Sequence, residues 1–325
     1  MDLKTKARLI AAGTIELPSA CLPLGPVSTA GPGAGEMSIF FSSGDKRVRL
    51  GVAEKSPLKL VELSKDEVAI MEGNETLAKG RLEAPLLHCP EQAYITVSER
   101  CIYNCKFCAV PKLSGSVKSQ DKVVKMVEQA LVTGNLKAIS LTSGVEISPE
   151  KEVARVAEIV SALRHIDVPI GVSVTPAFRS SEILKRAGTD EIKYNVECLD
   201  PDLFREVCPG VSLDDIKAAL KGAVKIFGRG KVFSNVIIGL GESDKALRDG
   251  IDELAKMGVF PGLRAIYPHP LRQGEIYMEK PSAERLIELA RYTRDVLDKY
   301  GLRGDLAKTM CYRCTGCDLI PHRDL

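Results

Sequence analysis

An α/β chain built on a curved, open parallel sheet is the fold class that the sequence predicts, and two observations carry the prediction. From residue 93 onward, short apolar runs alternate regularly with amphipathic stretches, and the repeating units number six, short of the eight that close a full barrel. Ahead of them lies a block of short runs with a period of two, and behind them a tail dense in cysteine. The prediction is therefore a partial (β/α)6 TIM-like barrel with a small N-terminal β meander and a C-terminal Cys-rich tail.

The elements follow in order. Residues 1–36 form an N-terminal arm in which a short helix begins within 2–20, before LPLGPVSTAGPGAGE (22–36), too rich in Gly and Pro for regular structure. That loop is read as a surface connection, with a lid or partner-binding arm as the alternative. Residues 37–86 read as an antiparallel meander, because MSIFFSS, KRVRLGVA, LKLVEL, EVAIMEG and TLAKGRL alternate with turn residues between them. Residues 87–272 make the barrel. Its strands are AYITVS (93–98), KAISLTS (137–143), PIGVSVTP (169–176), DEIKYNVE (190–197), KVFSNVIIGL (231–240) and LRAIYP (263–268). The stretches between them, from DKVVKMVEQALVTG to DKALRDGIDELAKMG, carry apolar residues three and four apart and stop near Gly or a charge, as helices do. Residues 273–325 add a last helix, AERLIELARYTRDVLDKYG (283–301), and then CYRCTGC (311–317).

Composition narrows the function. Of 325 residues 45% are hydrophobic and 27% charged, as in a soluble globular protein. The net charge of +2, the absence of Trp and the lack of a basic stripe argue against a nucleic-acid partner. MDLKTKARLIAAG is too charged for a signal peptide, and no run of about 18 apolar residues occurs, so no membrane role and a cytoplasmic location are expected. In that compartment ten cysteines are metal ligands or catalytic groups sooner than disulfides. Six of them fall in two triplets. Cys198 and Cys208 stand apart and read as buried small residues.

The first triplet, CIYNCKFC (101–108), follows the first barrel strand, where parallel α/β sheets keep their chemistry. Cys101, Cys105 and Cys108 are three thiols on one loop without a fourth, whereas structural zinc wants four ligands. Such a triplet suits a metal centre that leaves one position open. The spacing C-x3-C-x2-C, with the aromatic Phe107 before its last cysteine, resembles the signature of the radical SAM superfamily. That resemblance implies a [4Fe–4S] cluster on the three thiolates and S-adenosylmethionine on the fourth iron, which together yield a 5′-deoxyadenosyl radical. It implies contacts to the methionine amino group from Thr142, Ser143 and Gly144, where the family usually has a Gly-Gly-Glu-like turn. It also implies ribose contacts from Asn195 and Glu197, which share one strand face. Ile238 and Gly239, with Gly241 beyond, match the fifth-strand adenine motif, and backbone near Tyr267 also meets adenine. No residue is singled out as a catalytic acid or base, and His269 reads as a packed loop residue.

The second triplet, Cys311, Cys314 and Cys317, has the spacing C-x2-C-x2-C, which suits a second, auxiliary [4Fe–4S] cluster. Zinc is the alternative and would need a fourth ligand such as Cys21 or His322. Cys21 is taken as the fourth ligand, with Cys89 the other candidate, and this cluster is expected to face the first across the substrate cavity. From about residue 85 to 325 the chain resembles the biotin-synthase-related proteins that form one half of the archaeal-type, two-protein lipoyl synthase. The resemblance implies sulfur insertion into unactivated C–H bonds of an octanoylated lipoyl carrier protein. The partners implied are a second radical SAM protein and a low-potential electron donor such as ferredoxin or flavodoxin. The chain departs from ordinary lipoyl synthase, which has a C-x4-C-x5-C motif ahead of the radical motif, and from biotin synthase, which carries its auxiliary ligands inside a complete barrel. Two other readings stay open. One is a radical SAM enzyme acting on a free small molecule or peptide, with the second cluster as anchor or electron relay; the other is a non-catalytic iron–sulfur redox or cluster-carrier protein.

Overall fold

The chain opens with helix α1 (Leu3–Ala12), which starts where the Asp2 carboxylate caps the Thr5 N–H and ends at Gly13 with φ 71°. The computed structural model describes residues 1–18, 27–31 and 33–325. After α1 come six short strands, β1 (Thr14–Ile15), β2 (Ser38–Ser43), β3 (Lys46–Val52), β4 (Leu58–Glu62), β5 (Val68–Glu72) and β6 (Glu75–Glu83). Their order is β1-β3-β2-β6-β5-β4, and Glu16 just past β1 pairs with Lys59 of β4, which brings the two ends of the sheet together. The expected meander is thus a small rolled-up sheet around Ile39, Phe41, Val48, Leu50, Leu58 and Ile70, all buried. Two residues of β1 were too few to show a period in the sequence.

The barrel strands are β7 (Gln92–Thr96), β8 (Ala138–Thr142), β9 (Ile170–Ser173), β10 (Glu191–Lys193), β11 (Val232–Ile238) and β12 (Val259–Ala265). They lie parallel in sequence order, with β7 and β12 as free edges, so the sheet is the open six-stranded barrel expected. Between them run α2 (Gln120–Val132), α3 (Pro149–Leu163), α4 (Ser180–Ala187), α5 (Pro201–Val207), α6 (Leu213–Phe227) and α7 (Asp244–Met257), and α8 (Ala283–Lys299) follows. Ser119, Ser148, Ser212, Ser243 and Ser282 each accept the N–H three residues on, a cap that contributes about 1 kcal/mol to each of five helices.

β9 stops at Ser173, three residues before its predicted end, and two further strands differ in ways that bear on the cavity. β12 begins at Val259, four residues before the predicted start, because Gly258 and Pro261 disguise it. Pro261 is tolerated there because β12 is an edge. β10 stops at Lys193. Beyond it the Val196 N–H turns to Ser234 Oγ, and pairing resumes when the Glu197 N–H reaches the Asn235 carbonyl. Glu197 there has φ 56°.

The tail plugs the amino end of this barrel through α9 (Met310–Cys314). Glu191, the first residue of β10, accepts the N–H groups of Lys308 and Thr309 and the Thr309 hydroxyl. Ser140 accepts the Met310 N–H, Gln92 donates to the Met310 carbonyl, and the Tyr312 hydroxyl donates to the Pro261 carbonyl. The tail therefore bridges β7 and β12, the two edges that do not pair with each other. From outside, the N-terminal unit clamps it: Lys6 Nζ lies 2.7 Å from Asp324 and donates to the Thr315 carbonyl, while the Arg49 N–H donates to the Gly316 carbonyl.

Candidate active site

A cavity of about 410 Å³ occupies the barrel between the tail and the carboxyl ends of the strands. Both cysteine triplets line it. At the carboxyl end, the loop after β7 carries Cys101, Cys105 and Cys108. Its backbone is pinned by the Ile102 N–H on Val145, the Lys106 N–H on Val207 and the Cys108 N–H on Cys105. Arg272, in a short 3-10 turn at Pro270–Arg272 and fully buried, donates Nε to the Cys108 carbonyl at 2.7 Å and pairs with Glu275. Burial pushes the Cys101 thiol up and the Cys108 thiol up to about 12, and a metal bound there would displace those protons. Phe107 packs beneath the loop at 4% exposure.

Of the other expected contacts, Thr142, Ser143, Gly144, Asn195, Glu197 and Tyr267 all line the cavity. The Ser143 hydroxyl is already engaged, accepting the Ser98 N–H and donating to the buried Glu152, so it shapes the turn after β8. Gly144 passes so close to Arg100 that a Cβ there would lie 2.3 Å from its carbonyl oxygen. Asn195 Oδ1 accepts the Asn235 N–H at 3.1 Å. Burial lifts Glu197 to about 7, against the pull of Lys193. Ile238 and Gly239 are not brought to the cavity. Ile238 is buried outside it, the Gly239 N–H is held by Glu242, and a Cβ on Gly239 would lie 2.1 Å from the Glu279 carbonyl. Ile237 and Ile266 line the wall instead, because alternation turns those side chains inward. His269 is buried and accepts the Leu271 N–H, as a packed loop residue does.

At the amino end, Cys311, Cys314 and Cys317 enter the cavity from the tail. Cys21 lies outside the described residues. His322 is committed elsewhere, one ring nitrogen to the Gly304 N–H and the other to Asp298. Cys89 is fully buried and packs with Phe40 and Cys314. A hydrogen bond from Cys89 brings the Cys314 thiol down to about 7. Among the described residues, no three His, Cys, Asp or Glu side chains gather into a single-ion site.

Several lining residues escaped the sequence reading. Lys193 reaches from β10 to within 3.7 Å of Cys311 Sγ, and Arg264 from β12 pairs with Asp318 at 2.9 Å. Arg49 comes from the N-terminal unit, and Cys208, read only as a buried small residue, is buried and also lines the cavity beside Cys105. Lys193 shares a face with Asn195 and Glu197 and was within reach of a period-two argument; Arg49 was not. The N-terminal arm also contributes, with Ser28, Thr29 and Glu36 on the cavity wall and Thr29 bonded to Thr96.

Residues 95–254 match the model of the radical SAM superfamily, and the cysteine loop lies within that span. The chain belongs to the radical SAM superfamily. Its curated relatives include the bacteriochlorophyllide c C-7(1)-hydroxylase of Chlorobaculum limnaeum, 28% identical over 60% of this chain and 51% of that one. A lipoyl synthase of Glaesserella parasuis is 26% identical over 49% of this chain and 51% of its own. The chain thus spans about half the length of the curated relatives it matches. Among solved structures, methylornithine synthase superposes with a TM-score of 0.53 at 15% identity, over 66% of this chain and 70% of that one. Streptococcus suis SuiB bound to S-adenosylmethionine gives 0.53 at 16% over 65% and 48%. These two likenesses bear on the fold. Membership of the radical SAM superfamily implies a [4Fe–4S] cluster and S-adenosylmethionine. The residues fit: three free thiols sit on one pinned loop and line the cavity. Among the described residues no helix is long and apolar enough to cross a membrane.

Proposed function

We propose that this radical SAM enzyme is a sulfurtransferase that inserts sulfur into unactivated C–H bonds of a substrate held between two iron–sulfur clusters. The carrying observation is that both cysteine triplets line one cavity, at its opposite ends. When bound, the first cluster and S-adenosylmethionine supply hydrogen abstraction at carbon, and a second cluster on the tail supplies sulfide. The chain's own residues position the parts. Arg272 holds the Cys108 carbonyl, Asn195 and Glu197 line the cavity and would hold the ribose, and the tail closes the amino end of the barrel.

Lipoyl formation on an octanoylated lipoyl carrier protein, with a second radical SAM protein and a ferredoxin or flavodoxin as electron donor, is the specific form of this reading. The likeness to lipoyl synthases supports it. Its test is to supply octanoylated carrier, S-adenosylmethionine, reductant and the partner enzyme, and to measure 5′-deoxyadenosine and thiolated carrier. S-adenosylmethionine cleavage indifferent to the carrier would overturn it. One observation favours a second reading. Lys193, Arg264 and Arg49 put positive charge on the tail side of the cavity, which suits the carboxylate of a small acid better than a bare alkyl chain. In that reading the tail cluster is anchor or relay, and its sulfide content stays constant through turnover.

A further inference from the structure

The tail supplies three thiols, and the structure brings a fourth to them from more than two hundred residues away. Cys89 lies in the connection between the N-terminal unit and β7, its carbonyl accepting the Leu86 N–H and its backbone bridged to Gln92. That places it at the amino end of the barrel, where the tail enters. Its side chain is completely buried in a small cluster with Phe40 and Cys314, and Tyr94 packs against the group. Cys89 lines the same cavity as Cys311, Cys314 and Cys317 and packs directly against Cys314.

The surroundings are built around this group. The Arg49 N–H on the Gly316 carbonyl, and the Lys308 and Thr309 N–H groups on the Glu191 carboxylate, fix the tail on both sides of its cysteines. Met310 and Thr315 hold φ 56° and φ 58°, a strained conformation for side-chain-bearing residues that persists only where neighbours enforce it. Arg49, Lys193 and Arg264 line this end of the cavity, and Asp318 neutralises Arg264. Two positive charges are left over. They match about two net negative charges on an oxidised four-thiolate [4Fe–4S] centre, where three thiolates would leave an excess cation.

We propose that Cys89, Cys311, Cys314 and Cys317 are the four ligands of the tail cluster, so that its irons are all cysteine-bound. This rests on the reading that the tail holds a cluster at all. A fully ligated centre has no free iron for a substrate to bind, so it meets the substrate through its sulfides. It also welds the tail to the start of the barrel across the gap between β7 and β12.

The experiment compares anaerobically reconstituted wild type with Cys89→Ala, Cys89→Ser and Cys21→Ala by iron, sulfide and zinc analysis and Mössbauer spectroscopy. S-adenosylmethionine-induced change in the first cluster's EPR signal serves as the control for folding. The expected result is about eight irons in wild type and in Cys21→Ala, with about four in Cys89→Ala and an altered or labile second centre in Cys89→Ser. About eight irons with unchanged spectra in both Cys89 variants would overturn the ligand assignment and leave the two-cluster reading standing. About four irons in wild type, with or without zinc, would overturn both.

Discussion

Glu197 shows what a single residue reveals and conceals. Its spacing from Asn195 made it legible as an inward-facing group, but the break in β10 after Lys193 and the positive φ of Glu197 were not. In β11 it is Ile237 that lines the cavity, whereas Ile238, named from its match to the adenine motif, does not. Burial sets the chemistry of Glu197. Its acid is raised from about 4.5 to about 7, so the folded protein holds that proton more tightly than the unfolded chain. Its contribution to stability is present below about pH 4.5 and is lost as pH rises through about 7. Urea unfolding of cluster-free protein at pH 5 and 7.5 should show this loss in wild type and not in Glu197→Gln; equal pH dependence in the two would contradict the burial argument. Arg272 was invisible in the sequence because a lone Arg near Pro carries no motif. Arg272→Ala removes a buried, charge-assisted bond to Cys108 and should cost about 1.5–3 kcal/mol, lowering iron at the first site while sparing the tail. Thermal unfolding together with site-resolved EPR checks it.

At the scale of elements, the β–α alternation was legible because each buried strand and amphipathic helix carries its own period, and Ser caps mark five helix starts. What was not legible was docking. Nothing in CYRCTGC says that the tail turns back into the amino end of the barrel, because its anchors, Gln92, Ser140 and Glu191, look like ordinary strand residues. Gly171 records the fit, for a Cβ there would lie 2.2 Å from Thr309 Oγ1. Gly171→Ala should therefore displace the tail at a cost of about 1–3 kcal/mol, seen as faster proteolysis beyond residue 307 with the first cysteine loop unaffected. The Lys6–Asp324 pair ties helix α1 to the far end of the chain with both side chains nearly inaccessible. Lys6→Met strands the Asp324 charge and should destabilise by about 3–5 kcal/mol; restoring stability with Asp324→Asn in the same chain would show that the penalty is electrostatic.

For the whole molecule, all four stretches that read as separate in the sequence meet at one cavity. The N-terminal unit gives Arg49 to its wall; the barrel gives the first cysteine loop, and the tail gives the second set of thiols. The most direct test of that arrangement is EPR of the dithionite-reduced, reconstituted protein. Wild type should be compared with Cys101/Cys105/Cys108→Ala and Cys311/Cys314/Cys317→Ala, each with and without S-adenosylmethionine. Two signals are expected in wild type and one in each variant, with S-adenosylmethionine altering only the signal that depends on Cys101, Cys105 and Cys108. A single signal in wild type, unchanged by loss of the tail cysteines, would contradict the two-cluster cavity.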